Sequence, residues 1–81
     1  MTLKQLQYLV TVAEEGNITS AAKKLFIAQP SLTAAIRELE AEYNITVFSR
    51  SNKGIKLTSE GEEFLGYARQ VLEQAKLIEE R

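Results

Sequence analysis

The 81-residue sequence is 44% hydrophobic and 26% charged, carries a formal net charge of −1, and contains no histidine, cysteine or tryptophan. Such a chain has room for one small domain and is too apolar to be disordered, while the missing imidazole and thiol remove the usual general base, nucleophile and metal ligands, so no enzyme, cofactor or metal site is expected. No apolar run approaches a membrane span, and the opening MTLKQLQYLV lacks the basic and small-residue segments of a secretion signal, so the expected location is the cytoplasm.

Residues 2–15 read as a first helix. Thr2 followed by Gln5 matches a capping box, Leu3, Leu6, Leu9, Val10 and Ala13 recur at helical spacing, and Gly16 suits a left-handed stop. Asn17 or Thr19 can cap a second helix over 18–25 with Ile18, Ala21, Ala22 and Leu25 on its buried face. The paired alanines let another helix cross closely. A turn at 26–28 leads to Gln29-Pro30, and proline is tolerated where a helix begins because its missing N–H is not needed there. A third helix then runs to about Tyr43, with Leu32, Ile36, Leu39 and Tyr43 forming one apolar stripe and Asn44 as its stop.

Beyond Asn44 the period falls from 3.6 residues to two. Residues 46–50 are β-branched or aromatic in part, Ser51-Asn52-Lys53-Gly54 has turn chemistry, and residues 55–58 alternate apolar and polar, which predicts a hairpin. Thr58 or Ser59 caps a last helix reaching the end of the sequence. Two short helices joined by a tight turn, followed by a hairpin, make a winged helix-turn-helix. The expected architecture is mainly α, with a three-helix core, a two-stranded wing and a long C-terminal linker helix. Residues 1–58 form the winged domain and 59–81 the linker.

Charge is unevenly shared. Residues 1–58 hold seven basic and five acidic side chains, a balance of +2, whereas 59–81 hold three and six, a balance of −3. The stretch 44–58 carries Arg50, Lys53 and Lys56 and no acid. The local field, not the whole-chain charge, decides phosphate binding. On the third helix the side opposite the apolar stripe begins with Gln29, Ser31, Thr33, Ala34 and Arg37. These residues suit a major groove: Gln29 can pair with adenine, Ser31 and Thr33 can bond bases or phosphates, Ala34 can touch a thymine methyl, and Arg37 can reach guanine or phosphate. Arg50, Lys53 and Lys56 of the wing can lie along the backbone or enter a minor groove. The same surface would also serve a winged helix used only for protein assembly, a reading that the near-neutral net charge keeps open.

In the last helix Phe64, Ala68, Val71, Ala75 and Ile78 are separated by four, three, four and three residues, with Leu65, Leu72 and Leu77 widening the face. That spacing predicts a packed seam. Part of it must cover the first helix and the rest would pair with a second copy, so Phe64, Leu65, Ala68, Val71, Leu72, Ala75 and Ile78 are the expected dimer contacts. A helix docked only on its own domain is the alternative. A two-fold dimer would present two recognition helices to half-sites of an inverted repeat roughly 34–36 Å apart.

The run from Ala21 to Thr33, then Ile36, Leu39-Glu40, Val47-Phe48-Ser49-Arg50 and Leu57-Thr58-Ser59-Glu60-Gly61, resembles the LysR family of bacterial transcriptional regulators. The similarity spans essentially the whole chain. It implies a double-stranded DNA-binding transcription factor working as a homodimer or tetramer, with an effector domain for a small molecule beyond the linker helix. It also implies phosphate contacts from Asn17 and Thr19, a backbone role or a structural one for Pro30, and Arg50 as the principal wing contact. The chain departs from many relatives at Ala34 and Ala35, where arginine and glutamine are common. That departure predicts weaker or more A·T-tolerant recognition and places more weight on Gln29, Thr33 and Arg37.

Overall fold

A computed structural model describes residues 1–51 and 54–81. Among the described residues the order is α1 (Leu3–Glu15), α2 (Ile18–Leu25), α3 (Gln29–Tyr43), β1 (Phe48–Ser51), β2 (Gly54–Leu57) and α4 (Ser59–Glu79). This is the expected winged helix-turn-helix followed by a long helix.

The helix ends follow local chemistry. The Thr2 hydroxyl accepts the Gln5 N–H at 3.0 Å while the Gln5 side chain accepts the Thr2 N–H at 2.9 Å, completing the capping box. Gly16 closes α1 at φ 78°, a left-handed conformation that glycine adopts without steric cost. Asn17 caps α2 by accepting the Ser20 N–H at 2.7 Å. Two residues with Cβ atoms also take the left-handed conformation, Phe26 after α2 and Asn44 after α3. Pro30 stands in the first turn of α3, where its lack of N–H removes no helical bond.

The core consists of Leu6, Leu9 and Val12 from α1, Ala21 and Ala22 from α2, Leu32, Ile36 and Leu39 from α3, Val47, and Leu65 and Ala68 from α4. Helix α1 touches α2, α3 and α4, so its buried surface is wider than one stripe and takes in Val12, which the expected pattern omitted. Leu3, expected on that stripe, is exposed. Tyr43 also differs from expectation. It lies 42% exposed at the end of the α3 stripe and rests on the Phe64 ring with centroids 5.4 Å apart.

The wing is an antiparallel pair running from Phe48 opposite Leu57 to Ser51 opposite Gly54. It starts two residues later than the β-branched run suggests, because the preceding amide is taken by another element. The Val47 and Phe48 amides donate to one carboxylate oxygen of Glu40, at 2.7 and 3.3 Å, and the Val47 carbonyl accepts the Thr58 N–H at 2.9 Å. Thr58 in turn leaves the second strand and caps α4 by accepting the Gly61 N–H at 2.9 Å, while its hydroxyl donates to the Thr46 carbonyl.

Candidate nucleic-acid interface

Helix α3 turns Leu32, Ile36 and Leu39 inward, which leaves Gln29, Pro30, Thr33, Ala34 and Arg37 lining one shallow concavity on the outer side. A residue advances about 100° round a helix, so positions 29, 33 and 37 form a gently rotating row. Thr33 and Gln29 also border a second hollow with Ile18, Arg50 and Ser51, and Thr33 and Arg37 border a third with Glu40, Phe48 and Arg50. The outer face of α3 and the inner face of the wing therefore make one continuous cleft. Arg50 and Ile55 are the wing residues common to the second and third hollows, and Arg50 is the charged one.

Strand register explains why Arg50 takes that place. Side chains alternate between faces of a hairpin, and residues paired across it share a face. Arg50 pairs with Ile55, and Ile55 lines the cleft. Lys56 pairs with Ser49 and so belongs to the other face, away from α3. Of the three wing cations expected to act together, Arg50 is in the cleft, Lys56 is exposed on the reverse face, and Lys53 lies outside the described residues.

The other expected contacts divide as well. Gln29, Ala34 and Arg37 are exposed and Thr33 is half-buried, all on the shared surface. Ser31 is exposed but sits about 200° round the helix from Gln29, on another flank. Thr19 is exposed at the start of α2, beside Ile18, which lines the cleft. The side-chain oxygen of Asn17 is committed to the Ser20 amide, so its capacity to act on a ligand is confined to what that cap leaves free.

Electrostatics favour an anion here. Among the described residues the ion pairs are the N-terminal ammonium with Glu42, at 2.6 Å, and Lys24 with Glu15, at 3.5 Å. Both lie away from the cleft, and Arg37 and Arg50 have no carboxylate partner among the described residues. The start of α3 adds to this. Helices α1, α2 and α4 are capped by Thr2, Asn17 and Thr58, whereas Ala28 has no side-chain oxygen to offer α3. The positive end of that helix is thus directed outward beside Gln29.

Sequence patterning leaves Glu40 without a task, although it lines the cleft with Arg37 and Arg50 and holds the entry to the wing. The available signal was an acid on α3 directly beside the apolar stripe residue Leu39, ahead of a strand whose first amides needed acceptors. Phe26, which the pattern places only in a turn, is 94% exposed before α3.

The model for bacterial regulatory helix-turn-helix proteins of the lysR family matches residues 3–62. The chain belongs to the lysR family. It is 44% identical over 75 residues to the HTH-type transcriptional regulator TcbR of Pseudomonas sp. (strain P51), covering 93% of this chain and 26% of that protein. It is 42% identical over 81 residues to TfdS of Cupriavidus pinatubonensis, covering 100% of this chain and 28% of that regulator. The chain thus spans about a quarter of the length of the curated lysR-family relatives it matches. Those relatives are transcriptional regulators, not enzymes. Among solved structures, this lysR-family chain superposes on the LysR family transcriptional regulator CbnR with a TM-score of 0.95 and 42% identity, over 100% of this chain and 28% of that one. A crystal structure of the CbnR DNA-binding domain with DNA gives a TM-score of 0.94 at 42% identity, over 100% of this chain and 93% of that one.

Proposed function

We propose that this chain is the operator-reading module of a lysR-family transcriptional regulator, placing α3 in the major groove of double-stranded DNA and Arg50 against the adjacent backbone or minor groove. The observation that carries this is the continuous cleft joining the row Gln29, Thr33 and Arg37 to Arg50 of the wing, in a chain similar along its whole length to a domain crystallised with DNA. Gln29, Thr33, Ala34 and Arg37 meet base edges, with Ser31 at the flank. Pro30, Asn17, Thr19, Lys53 and Lys56 serve the backbone, and Arg50 is the principal backbone contact. The side chains that touch bases are short or flexible, as direct readout requires.

The module works as a two-fold dimer through α4. Leu65 and Ala68 are buried within the protomer against its own core, so they chiefly hold the helix in place, with Ala68 also at the base of the apolar groove beside it. Phe64, Leu72 and Ala75 are half-buried, whereas Tyr67, Val71, Leu77 and Ile78 are exposed. A nearly wholly apolar groove formed by Met1, Leu6, Tyr43, Phe64, Tyr67, Ala68 and Val71 continues that strip. A second copy covers it, and the two recognition helices then meet successive turns of an inverted repeat. The regulator acts in the cytoplasm, and a further domain answers to a small effector.

Fluorescence anisotropy with an inverted-repeat duplex, at low and at moderate salt, tests the reading. A DNA reader loses affinity as salt rises, because each phosphate neutralised releases counterions. No titratable binding at low salt would assign the fold to protein assembly instead.

A further inference from the structure

A carboxylate lining a surface that receives phosphates is unfavourable unless it is committed elsewhere, and Glu40 is so placed, in the hollow that Arg37 and Arg50 also line. It is committed to the chain itself. One oxygen accepts the Val47 N–H at 2.7 Å and the Phe48 N–H at 3.3 Å, bonds that link the last turn of the recognition helix to the first residue of the wing. No backbone ladder does this work, since Val47 lies outside the paired strands. The same Val47 carbonyl takes the Thr58 N–H at 2.9 Å, and Gly61 of α4 packs against it, so the peptide that Glu40 holds is also the junction between wing and linker helix. Arg50 follows two residues after Phe48 on the same strand.

We infer that Glu40 is a positioning residue for DNA recognition, setting the distance between the α3 row and Arg50 by holding the wing's entry on the recognition helix. This rests on the DNA reading above. Its chemistry is specific: the task needs an acceptor at the reach of a glutamate side chain, and it does not need the negative charge. Charge and reach therefore separate in two variants. Glu40→Gln keeps the reach and an acceptor oxygen, whereas Glu40→Asp keeps the charge and withdraws the oxygen by one methylene.

The test is a double-mutant cycle read as salt dependence. Dissociation constants for one inverted-repeat duplex are measured at several salt concentrations for the wild type, Arg50→Ala, Glu40→Asp, Glu40→Gln and each Glu40 variant combined with Arg50→Ala. In the wild-type and Glu40→Gln backgrounds, removing Arg50 is expected to flatten the log–log salt slope by about one per protomer, the value for one lost phosphate contact. In the Glu40→Asp background Arg50 is already misplaced, and the same removal is expected to change the slope by less than half as much. Equal effects of Arg50→Ala in all three backgrounds would overturn the proposal, as would Gln failing in the same way as Asp.

A second measurement stands without DNA. In free Glu40→Asp, amide hydrogen exchange at Val47 and Phe48 is expected to quicken at least tenfold while Leu9 and Leu39 in the helices stay protected. Unchanged exchange at Val47 and Phe48 would refute the tie whatever the duplex measurements give. Absence of duplex binding by the wild type, with quickened exchange intact, would instead count against the DNA reading alone.

Discussion

Three residues carry separable tasks. Gln29, exposed at the uncapped start of α3, has the donor and acceptor geometry to pair with adenine. Gln29→Ala is expected to relax base preference at one position of each half-site by about 1–3 kcal/mol, measured by competition between matched and substituted duplexes. Arg50→Ala has a different signature, weakening all duplexes alike and flattening the salt slope by about one per protomer. Identical behaviour of the two variants would defeat this division of labour. Gly61 is a third case, and its task lies inside the fold. A Cβ there would stand 2.2 Å from the Val47 carbonyl oxygen and 2.9 Å from its carbonyl carbon, so backbone would have to move. Gly61→Ala is expected to cost roughly 1–3 kcal/mol, seen as a lower denaturant midpoint at unchanged slope. The family motif includes that glycine, but helical periodicity gives no reason for it, because the clash is with a residue 14 positions away.

At the scale of elements, the helices were legible and the hairpin only in part. Thr2, Gly16, Asn17, Asn44 and Thr58 sit where capping chemistry puts them, since a cap satisfies amides or carbonyls within a few residues of itself. The start of β1 was misplaced because Thr46 and Val47 look like strand, but the Val47 amide is claimed by Glu40 from another element. Helix α4 shows the same limit. Its four-and-three spacing reads as one seam, yet its first half closes the protomer's core through Leu65 and Ala68 and its second half leaves Val71 and Ile78 facing outward. The two halves should answer differently to substitution. Leu65→Ala is expected to destabilise the fold by about 2–5 kcal/mol in thermal or chemical unfolding. Ile78→Glu, at a side chain 74% exposed, is expected to leave the protomer folded and to shift sedimentation toward monomer. A dimer that persists with Ile78→Glu and Val71→Glu together would move the proposed interface off α4.

For the whole molecule, a net charge of −1 coexists with a cleft whose cations, Arg37 and Arg50, lack carboxylate partners among the described residues. The acidic surplus in 59–81 belongs to α4, so the two cations of the cleft and the acidic surplus fall on different parts of the chain. Two copies of Arg50 in a dimer are expected to lower affinity at least about tenfold between 50 and 200 mM salt, with any phosphate contact from Lys53 and Lys56 adding to it, and a flat response would contradict the charge argument. The sequence by itself determined the helix boundaries, the winged helix-turn-helix order, the lysR-family membership and the outward row on α3, because capping, periodicity and motif spacing act over a few residues and are written locally. Tertiary structure alone decided that Arg50 and not Lys56 enters the cleft, that Glu40 holds the wing, that Gly61 admits no side chain and that half of the α4 seam is spent inside the protomer. Those outcomes depend on which distant backbone groups and faces meet once the helices pack, and strand register and inter-element hydrogen bonds have no period that a reading along the chain can detect.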